Sequence, residues 1–161
     1  MKHPIACLVL ALAACSPAAD ENPQAEAVAV APAARSAPRA ALTAEDVEGA
    51  QLAGELSCAF NERGMRAPVL VASADVDDAA RPVGVLKLGS STLTLESAGA
   101  GGFNAMVEGA RFTSGDLTAR VEVVSDEPLD DSEAPPLAAV LEIGSEALGS
   151  HRIEGQWACG P

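Results

Sequence analysis

Leu117-Thr-Ala-Arg-Val-Glu-Val-Val124 carries the strongest periodic signal in the chain. Leu117, Ala119, Val121 and Val123 alternate with Thr118, Arg120, Glu122 and Val124. A period of two places the first set on one face of an extended backbone and the second set on the other. A helical repeat would scatter both sets around its axis. The segment therefore predicts a strand with one face against a core.

The same pattern recurs on both sides. Leu56, Cys58 and Phe60 alternate with small or polar residues, predicting a strand over 55–61, and Asn61-Glu-Arg-Gly64 reads as a turn. Val69-Leu-Val71 lies in a second strand, and Asp75 to Pro82 reads as a loop. Val83 to Leu88 is a third strand, Gly89-Ser90 a turn, and Thr92 to Glu96 a fourth with Leu93 and Leu95 on one face. Ala110 to Thr113, Leu137 to Ile143 and His151 to Cys159 complete the set. Helical signal is confined to Thr43-Ala-Glu-Asp46, where Thr43 can cap and the acids suit a first turn. Gly49 and Gly54 keep that helix short. About eight short strands at hairpin spacing predict an all-β fold, a small antiparallel barrel or sandwich. The periodicity leaves both architectures open.

Composition limits the function. The chain has 161 residues, 48% of them hydrophobic, enough for one domain with a core. Its formal charge is −13, with 23 acids against 10 bases. Phosphates would be repelled, which excludes an electrostatic nucleic-acid binder, and a polybasic membrane-surface protein is equally disfavoured. The only histidines are His3 and His151.

The start reads Met1-Lys2-His3, then an apolar run from Pro4 to Ala14, then Cys15. A basic start, a short apolar stretch and small residues before a cut are the pattern of an export signal. Eleven apolar residues at ~1.5 Å each reach about half of a ~30 Å hydrocarbon core, too short for a stable span. Leu12-Ala13-Ala14-Cys15 resembles the lipobox of bacterial lipoproteins. That resemblance implies cleavage of signal peptide 1–14 by signal peptidase II, lipid attachment at the Cys15 sulfur and acylation of the new amine. Ser16 in place of Asp resembles the outer-membrane default of this class, with the domain facing the periplasm. Two or more fatty chains, at about 0.8 kcal/mol per buried CH₂, would anchor such a protein stably.

Residues 15–42 then read as a lipidated Cys followed by a disordered Ala/Pro-rich linker. Pro17, Pro23, Pro32 and Pro38 break any helix the alanines favour, and bulky apolar side chains are too few to offset ordering entropy. A linker of this size would reach ~30 Å as a coil and ~80 Å as polyproline. Residues 43–161 form the β-rich domain.

Cys7 leaves with the signal and Cys15 takes lipid, so Cys58 and Cys159 remain as an even pair in an oxidising compartment. They lie in the first and last strands, 101 positions apart, unlike a close-spaced redox dithiol. A disulfide between them would close a loop worth at most ~4.7 kcal/mol in the chain-entropy account.

Constellations that demand a reaction are scarce. His151 lacks a G-x-S-x-G elbow and reads as a half-exposed strand or turn residue. The acidic loops Asp75-Val-Asp77-Asp78 and Asp126 to Glu133 depart from the D-x-[DN]-x-[DN]-G calcium pattern and read as solvated connections. No cofactor or metal site is expected. Arg63, Arg66, Arg81, Arg111, Arg120 and Arg152 read as dispersed surface partners for surplus acids. Trp157 shares a face with Cys159 and is expected to pack over a disulfide. Ser97-Ala-Gly99-Ala-Gly101-Gly102-Phe103-Asn104 follows a strand and opens no dinucleotide fingerprint, since its sixth position from Gly99 is Asn104. It reads as a flexible, exposed loop whose glycines permit a close backbone approach, and Ser97, Gly99, Gly101, Gly102 and Phe103 are the candidate contact residues.

The expected function is a non-enzymatic outer-membrane lipoprotein with a β-rich binding or structural domain, and an acidic field suited to a cationic envelope partner. The layout also resembles the membrane-bound lysozyme inhibitors, small lipoproteins with barrel domains and an early and a late Cys. Leu93-Thr-Leu-Glu-Ser97-Ala-Gly-Ala100 stands where their inhibitory loop would, although the second Ser and a following basic residue with Tyr are absent. That resemblance implies insertion of the loop into a lysozyme cleft. The remaining alternative, an enzyme of unknown class, would need carboxylates facing each other across a cleft.

Overall fold

A computed structural model describes residues 39–161. The signal, Cys15 and most of the linker lie outside the described residues. Eight antiparallel strands close into a barrel in which each strand pairs with its sequence neighbours and the last pairs with the first. They are β1 (Leu56–Glu62), β2 (Leu70–Ala74), β3 (Val83–Leu88), β4 (Ser91–Ser97), β5 (Arg111–Ser114), β6 (Leu117–Pro128), β7 (Leu137–Ser145) and β8 (Gly149–Gly160). Two short helices accompany them, α1 (Ala44–Ala50) and α2 (Asn104–Val107).

The period-two reading holds most plainly in β1, β4 and β6, whereas β2, β3 and β7 each bury three residues in succession. Leu117, Ala119 and Val121 are buried, whereas Arg120 and Glu122 are exposed. Cys58 and Phe60 of β1, Leu86 of β3, Phe112 of β5, Leu141 and Ile143 of β7 and Trp157 of β8 fill the same interior. With a single Trp and three Phe, the lumen is packed mainly by aliphatic side chains, each worth about 1.5–3 kcal/mol on burial.

Closure depends on the seam between β1 and β8. Cys58 faces Cys159, Phe60 faces Trp157 and Glu62 faces Gly155. Cys58 and Cys159 form a disulfide across the directly opposed pair, with Cα atoms 4.0 Å apart. Gly155 lets the two strands approach over the Phe60 ring. A Cβ there would lie 2.1 Å from the Asn61 carbonyl oxygen and 2.6 Å from the Phe60 Cζ.

Antiparallel order sorts the connections onto two rims. One rim carries the tight β1–β2, β3–β4, β5–β6 and β7–β8 turns. The other carries the longer β2–β3, β4–β5 and β6–β7 connections, together with the start of β1 and the end of β8. These are the turn rim and the loop rim.

The chain joins the barrel earlier than position 43, the boundary expected from composition. Arg39 bridges to Leu88, the Ala40 N–H donates to the Lys87 carbonyl and the Leu42 N–H donates to the Pro68 carbonyl, all at the turn rim. Leu42 is buried, so the last four residues assigned to the linker belong to the fold. Alanine and proline enrichment concealed this, because docking here uses backbone groups, one leucine and one arginine. Arg39 donates two hydrogen bonds to the Glu62 carboxylate, at 2.8 and 2.5 Å. Thr43 caps α1 as expected, in a reciprocal capping box with Asp46. Asp46 also accepts from Lys87 Nζ at 2.6 Å and Thr92 Oγ1 at 3.0 Å, tying α1 to the outer wall of β3 and β4.

These two carboxylates make the docked segment acid-sensitive. Lys87, then the Thr43 backbone N–H, hold Asp46 well below the usual carboxylate range. Arg39 lowers Glu62 in the same direction. Both bind fewer protons folded than unfolded, so their stabilisation is complete above about pH 5 and fades as pH falls below it. Amide exchange of Ala40 and Leu42, corrected for intrinsic rate, should therefore accelerate at low pH relative to β6 and β7. Asp46→Asn should accelerate it at neutral pH; unchanged protection in both experiments would contradict the clamp.

Candidate functional site

The glycine-rich stretch after β4 splits into two parts. Ala98, Gly99 and Ala100 are exposed, with the Ser97 hydroxyl accepting from the Gly99 N–H at 3.3 Å. Gly101 and Gly102 instead donate to the Ala80 carbonyl, at 3.2 and 3.0 Å, and Phe103 donates to the Asp75 carbonyl at 2.8 Å. Gly102 is buried with φ at +57°, and a Cβ on it would lie 2.4 Å from the Asp77 carbonyl oxygen and 2.6 Å from that of Asp75. The expectation of one exposed, flexible loop is thus corrected. Its tip and Asn104 are exposed, and the close approach its glycines permit is to the β2–β3 connection of the same chain.

That docking places α2 across the loop rim. Met106 is fully buried in the core, and its carbonyl accepts from Trp157 Nε1 at 2.8 Å, satisfying the one donor the indole carries into the interior. Sequence periodicity cannot reveal a four-residue helix. The available signal was Phe103, Met106 and Val107 spaced for one face between Gly102 and Gly109.

Beside α2 lies an open groove of about 480 Å³. Phe103 and Val107 form one wall, Ala134 and Pro135 of the β6–β7 connection another, and Trp157 and Cys159 line it from β8. Phe103 and Cys159 are thus the sequence-level candidates that reach this site, whereas Ser97, Gly99, Gly101 and Gly102 do not line it. Cys15 lies outside the described residues. Among the lining residues Glu133 alone carries an ionisable side chain, so the groove is equipped to bury apolar surface and orient a charge at its edge.

The loop rim is strongly acidic. The β2–β3 connection carries Asp75, Asp77 and Asp78, and the end of β6 with the β6–β7 connection carries Asp126, Glu127, Asp130, Asp131 and Glu133. Glu55 and Glu108 adjoin the groove residues Leu56 and Val107. All ten are exposed, against Arg81 as the one base in these connections. Turns at the opposite rim balance Arg63 and Arg66 against Asp116 and Glu146. Asp77 and Asp130 accept from the N–H groups of Ala79 and Ser132, bonds that shape their loops. Among the described residues no three His, Cys, Asp or Glu side chains are grouped to hold a metal ion.

Two other expectations change. His151 is buried rather than half-exposed, because β8 turns it inward, where Nε2 pairs with the Leu148 carbonyl at 2.9 Å. Arg111, Arg120 and Arg152 are not dispersed. The register of β5 to β8 lines them up with Glu142 across the outer wall. Arg152 reaches Glu142 at 3.0 Å and Arg120 reaches Glu122 at 3.4 Å, exposed pairs worth about 0–1 kcal/mol.

Compared with protein-family models, curated proteins and solved structures, the chain matches none.

The two parts of the glycine stretch should respond oppositely to a methyl group. Gly99→Ala meets open space and should leave the denaturation midpoint within about ±0.5 kcal/mol of wild type. Gly102→Ala must displace backbone and should cost about 1–3 kcal/mol. Equal midpoints for the two variants would show that the docking of 101–103 on the β2–β3 connection is wrong.

Proposed function

We propose that this chain is a non-enzymatic outer-membrane lipoprotein, tethered through Cys15, whose barrel acts as a binding domain in the periplasm. The observation that carries the reading is Leu12-Ala13-Ala14-Cys15 directly after a short apolar run with a basic start. The disulfide between β1 and β8 supports it, since such bonds persist in an oxidising compartment. The arrangement of the rims is consistent with a tethered binder. The described chain begins at the turn rim with Arg39, while the groove opens at the loop rim.

The test is acylation. Wild-type chain should take up labelled fatty acid and partition with membranes, and Cys15→Ala should lose the label and become soluble. Retention of both properties by the variant would defeat the anchor.

A second reading has one specific observation behind it. Ala98 to Ala100 project as an exposed tip at the acidic rim, where the resemblance to membrane-bound lysozyme inhibitors places their blocking loop. On that reading the chain should inhibit lysozyme, a cationic enzyme, at low ionic strength. Undiminished lysozyme activity at excess chain would exclude it.

A further inference from the structure

We propose that the groove beside α2 is a docking site for a partner polypeptide segment that carries an apolar anchor flanked by Lys or Arg. This deepens the binding-domain reading and rests on it. Three features converge on this occupant. The groove is already formed, with its Trp157 and Cys159 side held by the barrel seam, so little ordering is needed when a ligand fills it. Further apolar surface is exposed at the same rim, at Val76 and Leu129. An apolar patch edged by charge marks an interaction site more often than scattered single residues do.

The charge pattern selects among occupants. Ten carboxylates against one arginine make this rim more strongly negative than the opposite one, where Arg39, Arg63, Arg66 and Lys87 offset most of Glu45, Asp46, Glu48, Glu62, Asp116 and Glu146. A fatty chain with a phosphate or carboxylate head would bring an anion against that field. A second copy of this chain would bring the same negative rim. A segment with basic residues on either side of an apolar anchor satisfies both the groove and its border, and would be drawn in at a rate that falls with salt.

The test uses the full chain carrying Cys15→Ala, isotope-labelled and titrated with the amidated peptide Lys-Leu-Val-Lys-Ile-Arg. The Trp157 indole N–H and the Val107 amide should shift together, saturably, and affinity should fall at least about tenfold between ~20 mM and ~300 mM NaCl. Val107→Ser should weaken binding about tenfold, whereas Met65→Ser, exposed on the turn rim, should leave it unchanged. Three results overturn the proposal: no shift with this peptide; equal affinity for a peptide with Ser in place of its bases or of its apolar residues; or tighter binding of dodecyl phosphate, which would make this a lipid site. The titration needs no lipid on the chain, so its failure is separate from a failure of the acylation assay.

Discussion

A sheet rolled into a tube must join its first strand to its last, and here the chain has to bring together segments 101 positions apart to do so. The β1–β8 ladder is that joint. Unpaired, those edges would present open rows of N–H and C=O groups. Phe60 against Trp157 supplies the apolar contact, Gly155 removes the side chain that would hold the strands apart, and Cys58–Cys159 fixes the register. In the chain-entropy account a cross-link over so long a loop removes up to about 4.7 kcal/mol of unfolded-state freedom. Both rims take their geometry from this joint, because the strand order around the tube follows once it is closed.

The interior also explains why one end needs a plug. Small and aliphatic side chains fill the lumen, and where β4 passes to β5 the chain sends Met106 into it from α2. Met106 provides flexible apolar volume, and its backbone carbonyl receives the Trp157 N–H. One contact therefore serves packing and polar satisfaction together. It also ties the helix wall of the groove to its β8 side, so that the groove's width is governed by the core.

Much of the barrel was legible in local pattern. Strands β1, β4 and β6 emerge from period-two alternation because one face of each is buried and the other wet, and β3 has the bounds the pattern suggests although Val85 and Leu86 are both buried. The Cys58–Cys159 pairing is legible from the place of the two cysteines in the first and last strands. What local pattern cannot encode is which edges meet, so barrel and sandwich stayed equivalent until β1 was seen against β8. The docking of Arg39 to Leu42, the inward turn of His151 and the convergence of Arg111, Arg120 and Arg152 on Glu142 all depend on register between distant strands. The groove was half visible. Phe103 stands out in the sequence for its place after the glycines, but its neighbours in space come from β8 and the β6–β7 connection, far away in sequence.

The unequal distribution of carboxylates between the rims makes the barrel an electric dipole along its own axis. Such a body feels a torque as well as a force near any anionic surface, within a Debye length of about 8 Å at physiological ionic strength. Near such a surface the torque favours the acid-laden end pointing away and the less acidic end facing it. The fold thus has a preferred attitude toward negatively charged surroundings that requires no contact, and that weakens as electrolyte is added.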